Sequence, residues 1–88
     1  MLSSEEGTVS VGSRPLSDYV LSIIILFNQG VKKVVLKGKG GNISKAIAVY
    51  NAVKDRLGDS IRLEGIEIGS EYYDNRKRVS YIKISISR

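Results

Sequence analysis

Histidine, cysteine and tryptophan are absent from this chain, and proline, methionine and phenylalanine each occur only once. Without cysteine there is no disulfide framework and no thiolate metal site, and the redox compartment stays undetermined. Without histidine the commonest general base and metal ligand is missing. Chemistry would fall to Asp18, Asp55, Asp59, Glu64, Glu67 or a lysine, and no pair of these carboxylates has a spacing suited to metal or acid–base work. Long hydrophobic runs are missing too. The most apolar stretch, residues 21–27, is far too short to span a bilayer. It follows polar residues and lacks a basic start and a small-residue cleavage site, so no signal peptide is expected. These absences point to a soluble intracellular chain without a membrane partner, a cofactor or catalytic machinery.

What remains is an ordinary globular composition, 42% hydrophobic and 26% charged over 88 residues, enough for one domain with one core. Residues 1–7 are polar and aperiodic and are expected to form a flexible tail, leaving 8–88 as a single domain. The formal net charge is +5, which favours a polyanionic partner over ordinary solubility charge. Glu5 and Glu6 lie in the tail, so the remainder is more basic than the whole.

The central stretch is Val34-Val35-Leu36-Lys37-Gly38-Lys39-Gly40-Gly41-Asn42-Ile43-Ser44-Lys45-Ala46. Its β-branched and aliphatic opening suits a buried strand. The glycines that follow allow positive φ and leave room for close approach by another molecule. From Ile43 the apolar period becomes helical, through Ala46, Ile47, Tyr50, Val53 and Leu57. Backbone N–H groups at a helix start beside Lys39 and Lys45 make an anion site, with phosphate the obvious ligand. The spacing matches neither a P-loop nor G-x-G-x-x-G, which disfavours ATP chemistry.

On either side the elements alternate. Residues 8–11 read as a short strand with Val9 and Val11 on one face. Pro15 suits a first helical position, and Leu16, Tyr19, Val20, Ile23, Ile24 and Phe27 form a helical stripe that Gly30 stops. Ile25 and Leu26 widen that stripe, so burial on more than one side is expected. After Gly58-Asp59, Ile61 and Leu63 alternate, and Ile66 and Ile68 continue in the opposite phase. A β-bulge at Glu64-Gly65 explains that slip. Val79 and Tyr81 against Ile82, Ile84 and Ile86 show a second slip, explained by another bulge or by burial on both faces. The order β-α-β-α-β-β predicts an α+β two-layer sandwich, two helices on one face of a four-stranded mixed sheet.

Between the last two strands, residues 69–78 are long for a hairpin connection. Continued as an extended ribbon, they would project about 16 Å. Arg76, Lys77 and Arg78 give this segment three successive cations, and Tyr72 and Tyr73 could stack on unpaired bases or pack on the hairpin or a neighbouring subunit.

Several pieces together resemble one known family. They are Val11-Gly12-Ser13-Arg14-Pro15 with Tyr19-Val20, Leu26-Phe27-Asn28-Gln29-Gly30-Val31, Lys37-Gly38-Lys39-Gly40 with Ile43-Ser44-Lys45-Ala46, Ile68-Gly69-Ser70, and the basic segment before Val79-Ser80. Over nearly its whole length the chain resembles Alba, the small basic chromatin proteins of archaea. The resemblance implies a fold like the C-terminal domain of bacterial translation initiation factor three. It also implies a homodimer, or a heterodimer with a paralogue, binding double-stranded DNA and RNA with little sequence preference. Carried over, Arg14, Lys39 and Lys45 would be body contacts, Arg76, Lys77 and Arg78 would lie on an arm along the duplex, and Asn42 and Ser44 would be polar contacts at the helix start.

The chain departs from the family pattern in three places. Ser13-Arg14 stands where members often carry two lysines, keeping one positive charge without the lysine associated with acetylation control. Gly41 replaces a frequent second basic residue. Arg56-Leu57-Gly58 lacks the phenylalanine that joins dimers side by side, so weaker cooperative coating is expected, as suits a second paralogue pairing with a main one. The expected function is a cytoplasmic, chromosome-associated, sequence-independent architectural protein. The alternatives are an RNA-binding ribonucleoprotein subunit and, less favoured, a small phosphate- or nucleotide-binding enzyme.

Overall fold

A computed structural model describes residues 6–88. Strand β1 (Glu6–Ser10) leads to helix α1 (Leu16–Asn28), strand β2 (Lys33–Lys39), a 3-10 turn (Gly40–Asn42) and helix α2 (Ile43–Leu57). A second 3-10 turn (Gly58–Ser60) precedes the long strands β3 (Arg62–Tyr73) and β4 (Lys77–Ser87). The expected order β-α-β-α-β-β is the observed one. β1 begins two residues before the expected position, so Glu6 and Gly7 belong to the sheet rather than to a tail. Over residues 1–5 the tail expectation lies outside the described residues.

The sheet order is β1-β2-β4-β3. β1 runs parallel to β2, while β4 pairs antiparallel with both β2 and β3. Both helices cover one face. The core collects Val9 from β1, Val34 and Leu36 from β2, and Ile82, Ile84 and Ile86 from β4 beneath Tyr19, Val20, Ile23 and Phe27 of α1 and Ala46, Val49 and Val53 of α2.

Local chemistry sets the helix ends. Pro15 occupies the N-cap of α1, one residue before the expected position, where its missing N–H costs nothing. At the other end Gly30 takes φ +98. Its N–H donates to Phe27 C=O, and Val31 N–H donates to Leu26 C=O, both at 3.1 Å, a glycine-terminated Schellman cap. Gly58, at φ +54, closes α2 as expected.

Two helix faces depart from expectation. Ile25 is 45% exposed; only Leu26 of the pair turns inward, lying against Gly7, where an added Cβ would meet its Cδ1 at 3.0 Å. The deep stripe of α2 is Ala46–Val49–Val53, with Ile47 left exposed. The cause is the small Ala46 facing Gly38. A Cβ on Gly38 would come within 2.6 Å of the Asn42 carbonyl oxygen and 2.8 Å of the Ala46 Cβ. The room left by Gly38 is therefore filled by the protein's own helix, not by an outside molecule.

The register shift between Leu63 and Gly65 confirms the expected bulge in β3. β4 has no second bulge: its pairing is continuous, with Ile82, Ile84 and Ile86 under the helices and Val79 and Tyr81 on the open face. Two-sided environment, not an inserted residue, explains that slip. Residues 69–78 are ribbon rather than loop. Beyond the last β2–β4 pair, Lys39 with Tyr81, β3 and β4 continue alone from Ser70–Ser80 to Tyr73–Lys77. Asp74 and Asn75 close the tip at φ 54 and 60, left-handed conformations that both residue types tolerate.

Gly38→Ala is expected to destabilise the fold by about 1–3 kcal/mol, the usual cost of overpacking a filled site. At Gly41 an added Cβ meets nothing within 4 Å, so Gly41→Ala should change stability by less than about 0.5 kcal/mol. Urea denaturation of the two variants checks the contrast.

Candidate functional site

Because β1 and β2 are parallel, the connections leaving them emerge at the same end of the sheet. That end carries residues 11–15, the Gly40–Asn42 turn with the start of α2, and, because β4 runs antiparallel to β2, the root of the β3–β4 arm. The topology thus gathers every site residue expected from the sequence at one end.

Their environments differ. Lys45 points back into the protein, donating from Nζ to the Gly12 carbonyl at 2.7 Å and to the Arg14 carbonyl, and lying 5.3 Å from the centre of the Tyr19 ring. Tyr19 completes the grip. Its hydroxyl accepts the Gly12 N–H at 2.8 Å and the Arg14 N–H at 3.1 Å. Both backbone polar groups of Gly12 and of Arg14 are thereby held, and the Arg14 side chain is left projecting. The guanidinium lies 3.7 Å from the Asp18 carboxylate with most of its surface exposed, a weak pairing in high dielectric.

Lys39 faces the open side of the sheet and is tied to the arm. Its Nζ sits 3.0 Å from the Glu71 carboxylate, 3.4 Å from the Tyr73 hydroxyl and 5.7 Å from the centre of that ring. The Lys39 hydrogen bond holds the Glu71 carboxyl below its ordinary range, and Glu71 in turn raises Lys39. Lys37 approaches the same carboxylate at 3.7 Å. Next to them Tyr81 lies across Gly69, where an added Cβ would meet its hydroxyl at 2.7 Å. That hydroxyl donates to Glu67 at 2.8 Å, and this bond makes Tyr81 a weaker acid than usual. The Nζ atoms of Lys37 and Lys83 stand 5.8 and 5.5 Å from the Tyr81 ring centre. The arm is therefore braced at its root by a cross-strand lattice of charges and rings.

At the start of α2, Asn42 holds the N-cap position without a side-chain cap, and Ser44 is exposed in the first turn. Gly41 beside them faces open space. The first N–H groups of α2 therefore have no side-chain cap from Asn42. On the arm, Arg76, Lys77 and Arg78 are all exposed. Arg78 Nε donates to Ser70 Oγ across the ribbon at 3.1 Å, while Arg76 and Lys77 make no side-chain hydrogen bond or ion pair among the described residues. No cluster of metal-ligating side chains occurs among the described residues, and no helix there is long and apolar enough to cross a membrane.

Sequence reasoning missed Tyr19 and Glu71. Tyr19 sits in the apolar stripe of α1, and nothing in its spacing signals a hydroxyl that accepts two backbone donors. Glu71 was indistinguishable from a solvated charge until the strand register brought it beside Lys39.

The chain is an α+β two-layer sandwich with one basic end and a projecting cationic ribbon. The Alba family model matches residues 7–70, most of the chain. A DNA/RNA-binding protein Alba 2 from Saccharolobus solfataricus is 50% identical over 76 residues, 86% of this chain and 84% of the relative. Its counterpart from Saccharolobus shibatae is 51% identical over the same length. Among solved structures, Alba from Thermoplasma volcanium superposes with a TM-score of 0.85 at 30% identity, covering 92% of this chain and 99% of that one. The chain belongs to the Alba family.

Tyr19→Phe should cost about 1–3 kcal/mol, because it strands the Gly12 and Arg14 N–H groups in a half-buried loop. Lys45→Met acts on the same two residues, Gly12 and Arg14, so the double variant is expected to lose less than the sum of the single losses. Denaturant midpoints for the three variants measure both effects.

Proposed function

We propose that this protein binds double-stranded DNA and RNA through their phosphate backbones, without reading sequence, as a dimeric architectural protein of the chromosome. The observation that carries the reading is the gathering of the Arg14 loop, the glycine-rich start of α2 and the cation-tipped arm at one end of the sheet. Cations placed in this way neutralise phosphates and release condensed counterions, which gives affinity without base contacts. Relatives half identical to it carry the name DNA/RNA-binding protein, which supports the same ligand here.

The roles of the site residues differ. Arg14, Arg76, Lys77 and Arg78 are direct phosphate contacts. Lys39 contacts phosphate in competition with Glu71, and Asn42 and Ser44 offer polar contacts beside the first turn of α2. Lys45 acts mainly by holding the loop that presents Arg14.

Dimerisation is supported by an apolar strip that the helices leave uncovered. Ile66 and Ile68 of β3 are 58% and 76% exposed, with Leu63 and Ile47 also exposed. Strand β3 lies at the sheet edge, with Ile47 of α2 left unburied, and a second copy or a paralogue with the same strip would remove these side chains from water. Two arms on one dimer would then extend the basic surface along a duplex.

With about six phosphate contacts per dimer, log K against log salt should fall with a slope near −5 on B-DNA. Replacing Arg76, Lys77 and Arg78 with Ser removes six cations per dimer and should make the slope shallower by about 4 to 5. Titrations at several salt concentrations read both, and an unchanged slope would remove the arm from the interface. Ile68→Asp should convert dimer to monomer in sedimentation equilibrium while leaving the far-ultraviolet circular dichroism unaltered; a variant that remains dimeric refutes the β3 strip as the interface.

A further inference from the structure

The chain has five tyrosines, and four have work inside the fold. Tyr19 grips the Arg14 loop, Tyr50 packs against the core, Tyr73 lies under Lys39, and Tyr81 covers Gly69 and bonds Glu67. Tyr72 stands apart. It is 67% exposed and makes no side-chain hydrogen bond or cation–π contact among the described residues. It lies on the free ribbon, directly opposite Arg78 in the ladder and therefore on the same face. Arg78 is itself oriented by its bond to Ser70.

An exposed ring on an antiparallel ribbon, paired with an oriented guanidinium and followed by more cations, has the parts of a single-strand binding platform. The ring offers a flat apolar face, and the cations hold the adjoining phosphates. Bases in a duplex have their faces covered by stacking and offer only their edges in the grooves, whereas an unpaired base offers a whole face. We propose that Tyr72, backed by Arg78, stacks on one unpaired nucleobase of RNA or single-stranded DNA. The inference rests on the nucleic-acid binding proposed above and adds the class of target that the arm prefers. Of the two adjacent tyrosines only Tyr72 qualifies, because the Tyr73 ring is already occupied by Lys39.

The test uses the full chain and three probes of one sequence: a single-stranded RNA and a single-stranded DNA, each carrying 2-aminopurine, and the blunt DNA duplex. Tyr72→Ala should weaken binding to a single-stranded probe about fivefold or more, the loss expected for one stacked base. Duplex affinity should change less than twofold. Tyr72→Phe keeps the ring face and should restore both the affinity and the quenching of 2-aminopurine. Loss confined to the RNA or to the DNA strand supports the inference and identifies the source of the base. Unchanged single-strand affinity and quenching in Tyr72→Ala would overturn it. So would an equal loss on the duplex, or a shift to monomer in sedimentation, which would assign the ring to a subunit contact. Failure of the broader reading looks different: the unmodified protein would bind the duplex weakly, with no dependence on salt.

Discussion

Helix α2 starts directly on strand β2 because Gly38 presents no side chain to it. With the Asn42 carbonyl and Ala46 Cβ both inside the space a Cβ would fill, strand and helix meet at backbone distance. Much of the basic end follows from this contact. It puts the first turn of α2 next to the loop leaving β1, close enough for Lys45 to reach the Gly12 and Arg14 carbonyls. The same contact lets β2 run on to Lys39, the last residue that pairs with β4 before the arm leaves the body. One missing methyl group therefore sets the spacing between the loop, the helix start and the arm.

The charges at this end fall into two groups that do different things. Lys37, Lys39 and Lys83 on the open sheet face stand among Glu67, Glu71, Tyr73 and Tyr81, and much of their field is compensated within the protein. Arg76 and Lys77 at the ribbon tip have no such partners among the described residues. A polyanion approaching this end meets cations without carboxylate partners at Arg76 and Lys77, while Lys39 must exchange one carboxylate for another anion. Any affinity gained at Lys39 is a difference between two ion pairs, smaller than that of a free lysine. On the function proposed above, this asymmetry favours the arm as the first point of encounter, since long-range attraction acts on uncompensated charge.

Periodicity made the element order and the β3 bulge legible, because side-chain alternation and helical spacing are local properties of the chain. The gathering of the loops at one end became visible only with the parallel pairing of β1 and β2. Other features depend on distance across the fold. The space at Gly38 could have admitted a ligand or the protein's own helix, and sequence alone does not distinguish the two. Lys45 looked like a surface cation because its acceptors lie 31 to 33 residues away. Ile25 and Ile47 looked buried because periodicity identifies an apolar face without saying how far a neighbouring layer extends over it. The isoleucines of β3 alternate as in a covered strand, yet both are left exposed.

The arm also has a thermodynamic character of its own. From Ser70 to Ser80 the ribbon has no helix above it and contributes nothing to the buried core. Ladder hydrogen bonds, the tight turn at Asp74-Asn75 and the pairs at its root hold it straight. Segments of this kind open locally, at free energies well below that of global unfolding. On warming, the fraction of molecules with a formed arm falls while the core is still intact. On the function proposed above, the upper temperature limit for binding is then set by a two-stranded ribbon, and the melting of the body overstates it.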